Sequence, residues 1–175
     1  LARGVDVSPL AHQIVKSPEL WNQNKLRQTY ADSPHAAADD IWLRFQSQAA
    51  LDAFDIDDLE VVNYPAFWKL PQARAIIFGL MTQVGGERLG RCVITRLKPG
   101  GRILPHEDGG LCASYYDRYQ IALNSEPGCS FSCGGETVEM RTGDVWWFNN
   151  ELEHSVTNNS ASDRLSLIVD IRCSR

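Results

Sequence analysis

The chain has 175 residues, 43% hydrophobic and 22% charged, with 17 Lys+Arg against 22 Asp+Glu and a net charge of −5. That is the size and composition of one globular domain, long enough to bury a core without disulfide or metal staples. No basic run draws it towards phosphate backbones or anionic lipid, and apolar stretches such as Ala75-Ile76-Ile77-Phe78 are far short of the roughly 20 residues of a spanning helix, so nucleic acid and membrane are set aside as partners.

In chain order, Ser17-Pro18-Glu19 reads as an N-cap with Pro at the first helical position and predicts a short, polar-faced helix ending near Tyr30. The acidic run Asp52, Asp55, Asp57, Asp58 and Glu60 reads as a solvated face. From Lys69 to Val84, Leu70, Ala73, Ile77, Leu80, Met81 and Val84 recur at helical spacing until Gly85-Gly86 stops the pattern. Beyond residue 86 the grammar changes to short β-branched or aromatic runs cut by Pro99-Gly100-Gly101, Gly109-Gly110, Gly134-Gly135 and Gly143-Asp144. Strands are expected at Cys92–Leu97, Ile103–His106, Arg118–Asn124, Ser130–Cys133, Glu136–Arg141, Val145–Asn149, Ser155–Asn158 and Arg164–Arg172. The expectation is one mainly β (α+β) domain over residues 1–175, with a helix-rich supporting segment at 1–86 and a barrel or jelly roll at 87–175.

The opening Leu1-Ala2-Arg3 shows no positive-then-apolar leader, and the scattered cysteines Cys92, Cys112, Cys129, Cys133 and Cys173 read as buried small hydrophobes in a reducing compartment; the expected setting is cytoplasmic. Cys129 and Cys133 lie on one extended run, roughly 13 Å apart, and do not share an ion there.

Of the four histidines, His106 and His154 stand in the strand half. In His106-Glu107-Asp108 the period of two puts an imidazole and a carboxylate on one face, and His154 follows the aromatic strand Val145-Trp146-Trp147-Phe148. Two His and one carboxylate facing an ion leave three positions open, the arrangement of non-haem Fe(II) oxygenases, whereas structural zinc closes its shell with four ligands. Arg164 opens an alternating strand that sends Leu165, Leu167, Val169 and Ile171 to one face and Arg164, Ser166 and Ile168 to the other. An arginine inside a barrel needs an anion, and a dicarboxylate whose other end sits on the metal meets that need. Arg118, Gln120, Ala122 and Asn124 also share a face, which supplies donors to the same interior or, if external, is ordinary polar surface.

At these residues the chain resembles the Fe(II)/2-oxoglutarate dioxygenases, and within them the aspartyl/asparaginyl β-hydroxylase-like family, to which the bacterial proline cis-4-hydroxylases are similar. The likeness runs from Arg91 to Arg172 and rests on Leu97–Asp108, Arg118–Leu123, Gly143–Val156 and Arg164–Asp170. It implies a double-stranded β-helix of the cupin type buttressed by N-terminal helices, His106, Asp108 and His154 as Fe(II) ligands, and Arg164 on the distal carboxylate of 2-oxoglutarate. It implies, too, a hydroxylation that consumes O2 and 2-oxoglutarate and releases succinate and CO2. Some members keep two histidines and a glycine where Asp108 stands, and a histidine where Gln120 stands; Gln120 then contributes a hydrogen bond without charge. Arg118 and Ser166 are expected to join Gln120 and Arg164 around the co-substrate.

In the first half, His35 and Arg44 are candidate substrate contacts, with surface loop the competing reading for His35. The expected substrate is a small molecule or peptide: an Asp-, Asn- or Pro-like residue, free or peptidyl. Competing functions are a cupin metalloenzyme that does not use 2-oxoglutarate and a non-catalytic cupin that binds a small molecule. The sequence is silent on oligomeric state.

Overall fold

Leu10 and Ile14 lie one turn apart on helix α1 (Ser8–Val15), which carries Pro9 in its first turn and buries both side chains. The computed structural model describes residues 1–53, 55 and 58–174. Asp57 of the acidic run lies outside the described residues. In place of the helix expected from Ser17 to Tyr30 there are two pieces, a 3-10 turn at Pro18–Leu20 and α2 (Leu26–Thr29). The break falls at Asn22, which takes a left-handed φ of 57°. Its side chain donates to Asp39 Oδ1 at 2.6 Å and accepts from the Asp40 backbone N–H at 3.0 Å, so partners outside the segment win over helix continuation.

The next elements are β1 (Ala38–Phe45), α3 (Gln48–Asp52), β2 (Val62–Asn63), α4 (Pro65–Lys69) and α5 (Pro71–Val84). Helix α5 follows the expected period, burying Ala73, Ile77 and Leu80, and Gly85 ends it with a φ of 64°. Strands β3 (Gly86–Leu97) and β4 (Arg102–His106) lead to α6 (Gly110–Tyr115). Then come β5 (Asp117–Asn124), β6 (Cys129–Cys133), β7 (Glu136–Val138), β8 (Val145–Phe148), β9 (His154–Asn158) and β10 (Arg164–Cys173). No helix among the described residues is long and apolar enough to cross a membrane.

Two antiparallel sheets face each other, one ordered β2-β1-β3-β10-β5-β8 and the other β4-β9-β6-β7. From β3 onward the chain crosses from sheet to sheet, pausing for the β6–β7 hairpin, which is the winding of a double-stranded β-helix. Strand β1 extends the larger sheet by pairing with β3, so the segment before residue 86 supplies strands to that sheet as well as helices. Its two leading acids, Asp39 and Asp40, mask the strand pattern because both are neutralised by residues remote in sequence: Arg96 on Asp39 at 2.7 Å and Arg27 on Asp40 at 3.0 Å.

The outer face of the larger sheet, with Ile41, Ile94, Ile121, Leu167 and Val169, packs on Leu10, Ile14, Ala73 and Ile77 of the helices. The space between the sheets is closed at one end by Leu97, Ile103, Ala122, Phe131 and Val156. This partition settles both alternations: Leu165, Leu167, Val169 and Ile171 face the helices, so Arg164, Ser166, Ile168 and Asp170 point between the sheets, and Arg118 and Gln120 point there from β5.

Candidate metal centre

His106 ends β4 and His154 begins β9, and the two are direct partners across the ladder. Asp108 follows in the loop after β4, where its N–H donates to the Asn150 carbonyl at 2.9 Å. One ligand-capable atom from each of the three residues lies within 4.8 Å of the others. His106 Nε2 is 3.8 Å from Asp108 Oδ1, and His154 Nε2 is 3.9 Å from Asp108 Oδ2. Each imidazole is oriented by its own strand. His106 Nδ1 donates to the Leu104 carbonyl at 2.8 Å and His154 Nδ1 to the Leu152 carbonyl at 2.9 Å, which fixes the proton on Nδ1 and leaves the Nε2 lone pair facing the cluster.

The electrostatics keep His154 and Asp108 in the protonation states a cation needs. Burial pushes the His154 pKa down, favouring neutral imidazole. Burial alone would raise Asp108, but Arg118, the neighbouring His154 and a hydrogen bond from Asn150 outweigh it and hold the carboxyl at about 2. Phe148 stands edge-on to the His154 ring at 5.2 Å, so the floor beside the ligands is apolar.

Arg118, expected beside the co-substrate, is committed elsewhere: it donates through Nη1 to Asp108 and through Nε and Nη2 to Asp170 at 2.7 and 2.9 Å. Burial opposes its charge, yet the two carboxylates win and raise its pKa. It therefore holds Asp108 and Asp170 rather than awaiting an anion.

Arg164 is the contrasting case. It is 3% exposed, no carboxylate pairs with it among the described residues, and its Nη2 has no hydrogen-bond partner. Burial pushes its pKa down to about 10. Ser166 and Gln120 lie buried beside each other on the same interior, with Gln120 Nε2 donating to Ser166 Oγ at 3.0 Å. Three convergent candidate ligand atoms and one buried guanidinium with an unpaired Nη2 are what an octahedral cation and an oxygen-rich dianion require, so the residues present fit Fe(II) and 2-oxoglutarate.

A cavity of about 540 Å³ opens over the ligands, lined by His106, Asp108 and Arg118, by Phe45, Val93 and Ile168, and by a strap that carries Arg27, Tyr30 and His35. His35 stands edge-on to His106 with ring centroids 4.8 Å apart, and both its ring nitrogens lie within 3.3 Å of Arg27 Nη2. Burial, then the Arg27 charge, pushes its pKa down to about 2, so it is a neutral imidazole on the cavity wall, carried by the turn before β1. Arg44 lies elsewhere. The β1 bulge between Trp42 and Arg44 turns it to the outer side, where it donates to Asn63 and to the Gly90 and Leu89 carbonyls, and it does not line this cavity.

Asn150, Asp170, Arg27 and Asp40 escaped the sequence reading. The alternation that exposes Arg164 and Ser166 reaches Asp170 three rungs later and could have found it; the others depend on contacts that no spacing encodes.

Among solved structures, this chain is similar to an oxidoreductase of the 2OG-Fe(II) oxygenase family from Burkholderia pseudomallei, with 18% identity, 77% of this chain and 66% of that one covered, and a TM-score of 0.55. It also aligns with a cupin domain from Bordetella pertussis at 20% identity, over 52% of this chain and 88% of that one, with a TM-score of 0.39. A predicted oxalate decarboxylase from Thermotoga maritima aligns at 21% identity over 54% and 72%, with a TM-score of 0.40. The first of these is a likeness of fold and agrees with the double-stranded β-helix winding. The model of the aspartyl/asparaginyl beta-hydroxylase family matches residues 16–173, a span that takes in both sheets, the triad and the interior arginine. On that match the chain belongs to the aspartyl/asparaginyl β-hydroxylase family, a family of hydroxylase-type oxygenases.

Proposed function

We propose that this protein is an Fe(II)- and 2-oxoglutarate-dependent dioxygenase that hydroxylates an unactivated C–H of an Asp-, Asn- or Pro-like amino acid, free or within a peptide. The observation that carries this reading is the buried Arg164, which has no carboxylate partner among the described residues and which the alternation of β10 turns to the space between the sheets. A cation site alone does not account for it. When bound, iron with 2-oxoglutarate and O2 supplies the oxidising power, releasing succinate and CO2 as a hydroxyl is added to the substrate.

The chain's own part is to hold and to exclude. His106 and His154 would bind the metal through Nε2, with Asp108 completing one face and leaving the opposite face open. Arg164 would take the far carboxylate in a charge-assisted pair, with Ser166 and Gln120 beside it as neutral donors. Phe45, Val93 and Ile168 wall the cavity and keep water from the reacting carbon. His35 and Arg27 roof it from the strap, where a substrate entering over the ligands would meet them. The partner of the site is thus a small molecule or a peptide end, and we place the protein in the cytoplasm.

Succinate formation from 2-oxoglutarate, measured with Fe(II) and O2 against a panel of free amino acids and peptides, tests the reading. Succinate and a hydroxylated product (substrate mass +16) in equal amounts are expected; 2-oxoglutarate left untouched by a protein shown to hold the metal would leave the cupin alternatives.

A further inference from the structure

The loop between β8 and β9, residues 149–153, reaches two of the three candidate ligands. We propose that Asn150 is a positioning residue for the metal centre, setting the Asp108 carboxylate against His154; this deepens the metal reading above and rests on it.

Asp108 is the candidate ligand that no strand holds. The β4–β9 ladder ends at the His106–His154 rung, Asp108 lies beyond it, and α6 begins only at Gly110. Asn150 takes the place of the ladder and meets Asp108 twice. Its carbonyl accepts the Asp108 N–H at 2.9 Å, and its Nδ2 donates to Asp108 Oδ2 at 3.2 Å. The first bond places the Asp108 backbone. The second acts on the side chain, where Arg118 Nη1 donates to the same oxygen, so the carboxylate does not turn about its Cβ–Cγ bond without disturbing both donors.

The two donors tie Asp108 to different parts of the fold. Arg118 comes from β5 in the larger sheet, whereas Asn150 is joined to His154 by the short run Glu151-Leu152-Glu153. In that run the Leu152 carbonyl accepts from His154 Nδ1 at 2.9 Å. One loop therefore orients an imidazole through Leu152 and a carboxylate through Asn150, with Asp108 Oδ2 standing 3.9 Å from His154 Nε2.

The loop has its own fastening, independent of the Asn150 side chain. Leu152 N–H donates to the Asn149 carbonyl at 3.2 Å, and Glu151 N–H to Asn149 Oδ1 at 3.1 Å. Gly134 N–H, in the β6–β7 turn, donates to the Glu153 carbonyl at 3.0 Å. Asn150 is 4% exposed, so its amide meets Asp108 with little competition from water. Removing the amide alone leaves these bonds, and the backbone bond to Asp108, in place.

The test is calorimetric titration of the apo-protein with Co(II), a redox-stable stand-in for the metal, so the readout does not depend on turnover. Asn150→Ala is expected to raise the Co(II) Kd about 10- to 100-fold, the usual effect of losing an outer-shell partner. Proton NMR of the Co(II)-saturated variant is expected to keep both exchangeable, paramagnetically shifted Nδ1–H resonances of His106 and His154, because backbone carbonyls orient both rings. A merely structural role for Asn150 would disturb the loop and with it the His154 resonance. An unchanged Kd, or loss of the His154 resonance, overturns the proposal. If Asn150→Ala does not fold, Asn150→Leu, which fills the volume without a donor, carries the same two readouts; failure of both variants to fold overturns the proposal. A wild-type protein that does not bind Co(II) overturns the metal reading and this proposal with it. Tight wild-type binding with Asn150→Ala unaffected overturns the role of Asn150 alone.

Discussion

His106 and His154 sit directly opposite each other across the β4–β9 ladder, with ring centroids 4.3 Å apart, and each is anchored through Nδ1 to the carbonyl two residues before it. The rigid rung sets their separation and the backbone sets their tautomer, so the pair presents two lone pairs without help from side chains elsewhere. His106→Ala and His154→Ala are each expected to abolish turnover and Co(II) binding while leaving far-UV circular dichroism unchanged. Retained activity in either variant contradicts the assignment.

Arg164 is a cost to the apo-fold and an asset once an anion arrives. Arg164→Leu removes a buried charge with an unpaired donor, so the apo-protein is expected to gain about 1 kcal/mol or more in urea unfolding. On the proposed reading the same change removes the residue that would meet the distal carboxylate, and it is expected to weaken 2-oxoglutarate binding by about 2–5 kcal/mol, read by calorimetry. A variant that loses both stability and binding would show Arg164 to be a structural residue.

Asp108 ties stability to acid. Its folded pKa of about 2 lies below the ordinary carboxylate value, so the folded state binds fewer protons than the unfolded one. The stability this confers, about 2 kcal/mol, is fully present above pH ~4 and is lost as pH falls towards ~2. Arg118→Gln removes the largest influence that opposes the burial of Asp108 and is expected to shift the acid-unfolding midpoint of the apo-protein to higher pH. No shift would mean that Arg118 does not hold the carboxylate.

Gly90 has no positive φ to excuse it; its role is space. A Cβ there would lie 2.9 Å from the Tyr116 ring and 3.1 Å from the Asp170 Cβ. Gly90→Ala is expected to destabilise the protein by about 1–3 kcal/mol through overpacking. Unchanged thermal unfolding would show that Tyr116 gives way freely.

The strand half was legible because its signals are local. The alternation in Arg164–Ile171 separates a helix-facing apolar row from an inward polar row, and turn glycines bound each strand. That His106, Asp108 and His154 come together was legible for the same reason, since His106 and Asp108 are two residues apart and His154 follows a strand. Strand β1 was not, because Asp39 and Asp40 look like loop residues until Arg96 and Arg27 are placed on them. The helix expected from Ser17 failed at Asn22, whose partners are Asp39 and Asp40. Arg44 was misdirected by a bulge, which shifts the face of every residue after it and leaves no mark in the sequence.

The central claim is that the triad and Arg164 form one site for a metal and a dicarboxylate. Anaerobic titration of the apo-protein with Fe(II) and then 2-oxoglutarate, followed in the visible range, tests it most directly. The account predicts a weak charge-transfer band that requires both additions and is lost in Arg164→Ala; no band from a protein shown to have bound the metal would contradict it.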